Sequence, residues 1–221
     1  MIRAALFDMD GLLADTEPFW RQAQVEVFAA HGLHLQTRDC VQTMGMRVHE
    51  VVAYWESQKG FSHGSTHEIS EKIVQRVIQK VEQSAQVLPG VKEVVFSAKE
   101  RGLLLAVVSS SHKILIDSLL QKIQLKDVFD LVVSAQHLIF GKPHPLPYLE
   151  AARMLCVQNK ECVAFEDSPN GVKSALAAGM RVVAVPDKEQ KNNSIFASAN
   201  LTFSSLEKWT DDCWNILQGK I

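Results

Sequence analysis

The chain has 221 residues, room for one large domain or for a core with a smaller companion. Lys plus Arg number 23 and Asp plus Glu 25, a formal net charge of −2, which excludes a broad basic surface for nucleic acid. With 47% hydrophobic and 22% charged residues, disorder is excluded as the main state, and no apolar run approaches the roughly 18 to 20 residues that span a bilayer.

The first predicted strand covers residues 2–7, an apolar run closed by Asp8. It is too short for the apolar region of a signal peptide, and an acidic cluster follows at once. Three helices are expected next and no strand: 18–30 ending at Gly32, 48–58 ending at Gly60, and 66 to about 84. The last carries Ile69, Ile73, Val77 and Val81 on one face. After Pro89 the pattern alternates. A helix built on Val91, Val94, Val95 and Ala98 stops at Gly102, and a strand at 103–108 runs into Ser109-Ser110-Ser111. Helix 114–123, a weaker strand at 129–133, helix 145–156, strand 162–165, helix 171–178 and strand 181–185 follow. Alternating strands and helices imply an α/β fold, a Rossmann-like parallel-sheet core with right-handed crossovers. The helical stretch reads as an inserted all-helical cap at 16–86, with the core at 1–15 and 87–221 and the crossings near 13–16 and 84–89. Cys40, Cys156, Cys162 and Cys213 form no C-x-x-C pair and read as reduced thiols, so a cytoplasmic setting is expected.

Ligands of open parallel sheets bind at the carboxyl ends of strands. Asp8-Met9-Asp10, Ser109-Ser110-Ser111 and Glu166-Asp167-Ser168 all stand at such ends. In Asp8-Met9-Asp10-Gly11 a spacing of two puts both carboxylates on one side of an extended backbone. Two close carboxylates ionise together only beside a cation. One could attack phosphorus while the other moves protons. The same tetrapeptide suits a solvated turn, so alone it leaves both readings open. The serines and Glu166-Asp167 also suit helix caps, and Lys142-Pro143 a surface turn. A cap at a strand end is, however, also an anion site.

The wider constellation is more specific. The segment Phe7-Asp8-Met9-Asp10-Gly11-Leu12-Leu13-Ala14-Asp15-Thr16 resembles the first motif of the haloacid dehalogenase-like (HAD) superfamily. Val107-Val108-Ser109 resembles the second, Gly141-Lys142-Pro143-His144-Pro145 the third, and Phe165-Glu166-Asp167-Ser168-Pro169-Asn170-Gly171 the fourth. They occur in the family's order and cover essentially the whole chain, and the helical insertion sits where that family's C1 cap sits. The resemblance implies Asp8 as nucleophile and Asp10 as proton donor and then base. It implies Mg²⁺ held by Asp8, the Asp10 carbonyl and Asp167, with Glu166 close by. Lys142, the Ser109 hydroxyl and the Ser110 amide would bind the transferring phosphoryl group.

Asp10 favours an alcohol ester, since dehalogenase members lack an acid there. No lysine lies between Asp10 and Lys59, which weighs against the phosphonate-cleaving branch. The β-phosphoglucomutases share the motif and cap type but carry His where this chain has Trp20. Glu17-Pro18-Phe19-Trp20 and Met44-Gly45-Met46-Arg47 are similar to stretches of bacterial hexitol phosphatases and 2-deoxyglucose-6-phosphate phosphatases. The resulting expectation is a monomeric Mg²⁺-dependent phosphatase for small sugar or sugar-alcohol monophosphates, with sugar phosphomutase as the alternative and a binding protein without turnover as a second rival. Arg47 either faces the substrate from the cap or is an exposed helix-start arginine. Trp20 and its aromatic neighbours read mainly as cap packing, and the pair His63 and His67 as a helix start rather than a metal site.

Overall fold

The computed structural model describes residues 1–60 and 64–219, so His63 lies outside the described residues. Its centre is a six-stranded, wholly parallel sheet of β1 (Ala4–Phe7), β2 (Leu104–Ser109), β3 (Leu131–Ser134), β4 (Cys162–Glu166), β5 (Arg181–Ala184) and β6 (Leu201–Thr202). The spatial order is β3-β2-β1-β4-β5-β6. β1 therefore lies in the middle, between the strand that follows it and the strand begun after the chain doubles back. Such a switch of direction opens a crevice at the carboxyl edge.

The strands are apolar throughout because both faces are covered. Ala5, Phe7, Leu105, Val107, Val163, Phe165 and Val183 share one buried face, packed by α4 (Val91–Glu100), α5 (Lys113–Lys122) and α8 (Asp211–Leu217). Leu6, Ala106, Val108, Cys162 and Ala164 point the other way, onto α6 (Leu146–Met154) and α7 (Pro169–Ala177). On the first face Phe7 stacks on Phe165 at 4.5 Å, and Trp214 meets Phe165 edge-on at 6.0 Å.

The cap holds α1 (Glu17–Ala30), α2 (Val48–Lys59) and α3 (Thr66–Ser84), all three as expected to within a residue or two. Ser65 caps α3 by accepting from the Glu68 N–H at 3.1 Å. The stripe Ile69, Ile73, Val77 and Val81 is buried, and α3 packs on α1, on α2 and on the core helix α5. The two crossings into the core run side by side: Ala14 bridges Val87, and the Leu88 N–H donates to Leu13 O at 3.0 Å.

Some elements differ from expectation. α6 stops at Met154 because Cys156 takes a left-handed φ of 55°. α7 begins two residues earlier, at Pro169, where the ring's fixed φ suits a first helical position and Ser168 supplies the cap. β6 and α8 were not expected. Each is short: β6 has two residues at the sheet edge, and α8 buries Cys213, Trp214 and Leu217 by packing rather than through a long periodic pattern.

Candidate active site

Register places the nucleophile candidate. Phe7 stands level with Val107 and with Phe165, so Asp8 emerges beside Val108 and Glu166. Its N–H donates to Phe165 O at 3.0 Å. Ser109 ends β2, and Asp167 follows the last residue of β4.

Lys142, on the segment between β3 and α6, reaches into this edge. Its Nζ donates to Asp8 Oδ1 at 2.6 Å, Glu166 Oε1 at 2.6 Å and Val108 O at 2.9 Å. All three donors of the ammonium are thereby used. Burial would lower the Lys142 pKa, but the Asp8 and Glu166 carboxylates outweigh it and hold the ammonium well above its usual value. Burial is also the main force on Asp8. It pushes that carboxyl up to about 7 against the pull of Lys142, with Glu166 and Asp10 adding to the rise. Asp167 is raised too, by burial first and then by Asp8 and Glu166. Tyr148 of α6, which no motif marked, donates its hydroxyl to Glu166 Oε1, and its ring centroid lies 5.2 Å from Lys142 Nζ.

Three buried carboxyls thus face one lysine. Asp8, Glu166 and Asp167 each offer an oxygen, all within 4.8 Å of one another. Both oxygens of Asp167 and Oε2 of Glu166 are buried with no hydrogen-bond partner. Orphaned carboxylate oxygens are costly, and a set made only of oxygens suits a hard divalent cation such as Mg²⁺. Two glycines make the room. A Cβ at Gly11, which has a φ of +79°, would overlap the Asp167 carboxylate, and one at Gly171 would overlap Glu166.

Asp10 faces the cap. Thr16 Oγ1–H and the Trp20 indole N–H donate to its Oδ1 at 2.6 and 2.8 Å, and the Ser111 hydroxyl donates to Oδ2 at 2.6 Å. Trp20 was expected mainly as packing, and Ser111 as a cap. The sequence signal for Trp20 was its place where related mutases carry histidine. Ser109 Oγ accepts from the Ser111 N–H at 3.0 Å, which leaves its own hydrogen free to turn to a ligand. The Ser110 hydroxyl donates across to Gly45 O of the cap at 2.9 Å.

Arg47 is placed differently from either reading. It is neither exposed nor on the cavity wall. Its guanidinium pairs with Glu50, and Nη1 donates to Leu138 O of the core at 2.6 Å. The side chain pins the cap to the core because the α2 N-terminus lies against the loop after β3. Asn170 Nδ2–H to Met44 O, at 3.0 Å, and the Arg21–Glu189 pair, at 3.0 Å, also cross between the two parts. Between cap and core a cavity of about 40 Å³ remains, bordered by Asp8, Asp10 and Asp167 below and by Glu17, Trp20 and Gln24 above. That is room for one or two waters.

Residues 5–185 match the haloacid dehalogenase-like hydrolase family. The chain belongs to that family. It is 40% identical over 210 residues to hexitol phosphatase B of Escherichia coli K12, covering 95% of each chain. The crystal structure of CbbY from Rhodobacter sphaeroides in complex with phosphate superposes with a TM-score of 0.87 at 27% identity, covering 94% of this chain and 96% of that one. A β-phosphoglucomutase from Clostridium difficile shares the fold, with a TM-score of 0.86 at 22% identity, over 100% of this chain and 98% of that one. No helix among the described residues of this haloacid dehalogenase-like hydrolase is long and apolar enough to cross a membrane.

Two outcomes follow from the geometry. Trp20→Phe keeps an aromatic side chain, though a smaller one, and removes the donor to Asp10. Losing one hydrogen bond to a charged group, about 1.5–3 kcal/mol, should lower kcat about 10- to 100-fold and move KM far less. The kcat–pH profile should shift as well. An unchanged kcat and profile would mean that the indole only packs. Glu17 is buried, and burial first, then the Asp10 charge, pushes its carboxyl up to about 8 from 4.5. A group raised on folding is stabilising while protonated, so the native protein loses stability as pH rises from about 4.5 to about 8. Glu17→Gln removes that loss. Its Tm relative to the unmodified chain should therefore climb between about pH 5 and pH 8.5. A constant difference across that range would show that Glu17 ionises normally.

Proposed function

We propose that this hydrolase is a Mg²⁺-dependent phosphatase that cleaves small sugar or sugar-alcohol monophosphates through a phosphoenzyme on Asp8. One observation carries the reading. A buried carboxylate paired with a buried lysine and a second carboxylate held by three donors border one cavity beneath the cap. The likeness to hexitol phosphatase B supports the substrate class.

Asp8 borders the cavity and would attack the phosphorus atom, forming an acyl phosphate as the ester oxygen departs. Lys142 keeps its charge throughout and offsets the negative charge on the equatorial oxygens, joined by the Ser109 hydroxyl and the Ser110 amide. Asp10 gives a proton to the departing alkoxide. It then takes one from the water that hydrolyses the acyl phosphate, regenerating Asp8 and releasing phosphate. Thr16, Trp20 and Ser111 fix Asp10 at both oxygens, so the proton moves along a set direction. Asp8, Asp167 and the Asp10 carbonyl, with Glu166 beside them, would hold Mg²⁺, which supplies electrostatic stabilisation of the phosphate oxygens. A sugar phosphate is larger than this cavity, so the cap, taken as residues 16–86, would move on its paired crossings to admit it. Closure then excludes water during attack.

The test is a phosphate-release assay on hexitol and hexose monophosphates, with no bisphosphate activator added. Free phosphate should appear with Mg²⁺, stop with a chelator and return when Mg²⁺ is restored. Asp8→Asn should lower the rate about 10⁴-fold or more, as expected for loss of a nucleophile. Isomer formation without free phosphate would overturn the phosphatase reading, and indifference to chelator would overturn the metal.

A further inference from the structure

The cap side of the cavity carries a residue that the phosphoryl chemistry does not use. Glu17, Trp20 and Gln24 lie on one face of α1, three and four residues apart. Trp20 touches Asp10. Gln24 stands one turn beyond, about 6 Å farther along the helix axis and away from the reacting atoms. Its side chain is only 6% exposed, it borders the cavity, and its Oε1 has no hydrogen-bond partner. A buried amide oxygen left in this state is costly unless something that enters the cavity satisfies it.

The chemistry of that missing partner is constrained. A carboxamide needs an acceptor for its N–H groups and a donor for its oxygen. A hydroxyl is both. A phosphate dianion is only an acceptor and leaves Oε1 unpaired. Among the described residues no Lys or Arg borders this cavity, and the one ionisable side chain at its cap end is the acid Glu17. The cap part of the lining also includes the apolar side chains of Met44, Val48 and Val51. Such a wall fits the C–H surface of a sugar or polyol.

We infer that Gln24 is a specificity-determining residue that hydrogen-bonds a hydroxyl on the far carbons of the substrate, so that the cavity selects polyhydroxylated monophosphates and rejects bisphosphates. The inference rests on the phosphatase reading above and adds to it which residue reads the carbon chain. A second phosphate would lie where no cation meets it.

Three substrates decide the matter: a hexitol 6-phosphate, the matching 1,6-bisphosphate, and phenyl phosphate, which has no hydroxyl to read. In the unmodified enzyme with Mg²⁺, kcat/KM for the monophosphate should exceed that for the bisphosphate by about 100-fold, as expected when a site leaves a charge unpaired. Gln24→Leu should lower the hexitol-to-phenyl ratio of kcat/KM about 5- to 10-fold, the loss of one neutral hydrogen bond. Gln24→Asn, too short to reach, should lower it similarly. An unchanged ratio in folded variants, or equal turnover of mono- and bisphosphate, would overturn the inference while the phosphatase reading stood. If Gln24 variants fail to fold, the comparison of mono- and bisphosphate on the unmodified enzyme decides alone. No phosphate release from any of the three, phenyl phosphate included, would overturn both readings together.

Discussion

Lys142 meets Asp8, Glu166 and the carbonyl of Val108 at the carboxyl edge of the sheet, with its whole side chain buried. Taking a carboxylate out of water costs several kcal/mol unless an opposite charge and hydrogen bonds replace the water. Here one ammonium serves two carboxylates, and a third, Asp167, has neither oxygen bonded. The imbalance gives the edge its chemistry. It raises the Asp8 and Asp167 carboxyls, keeps Lys142 charged, and leaves oxygens that a divalent cation would satisfy. The backbone accommodates this crowding at Gly11 and Gly171, where any side chain would strike a carboxylate.

The cap completes the site from above. Its α1 carries Trp20 onto Asp10, so one of the two acids is held by donors from both parts: Trp20 from the cap and Ser111 from the core. Arg47, Asn170, Ser110 and Arg21 fasten cap to core through contacts of 2.6 to 3.0 Å. Apolar packing joins the two parts as well, since α3 of the cap lies against α5 of the core and both feed one hydrophobic cluster. The two crossings run side by side and offer the cap a common hinge.

Much of this was legible in the chain. Asp8, Asp10, Ser109, Lys142, Glu166 and Asp167 stand where apolar strands or motif segments end, and the parallel fold gathers such ends at one edge. The cap helices followed from periodicity and their Gly and Ser punctuation. Other contributors were hidden for identifiable reasons. Tyr148 sits among apolar residues of α6 and looks like core until Glu166 is seen above it. Trp20 and Ser111 lie 10 and 101 residues from Asp10, so no local pattern links them to it. Arg47 has two plausible roles as a helix-start arginine, and only the position of the loop after β3 gives it a third.

The sequence by itself determined the class of fold, the helical insertion and the identity of the acids, because strand and helix periodicities and short-range motifs are local properties of the chain. Tertiary structure decided the partners: which acid meets the lysine, which faces the indole, which oxygens stay unsatisfied, and that Gln24 faces the cavity with an unanswered amide. Those outcomes depend on register between strands and on the seating of α1 over the sheet edge. Distances between residues tens of positions apart are set there, and local sequence pattern carries no record of them.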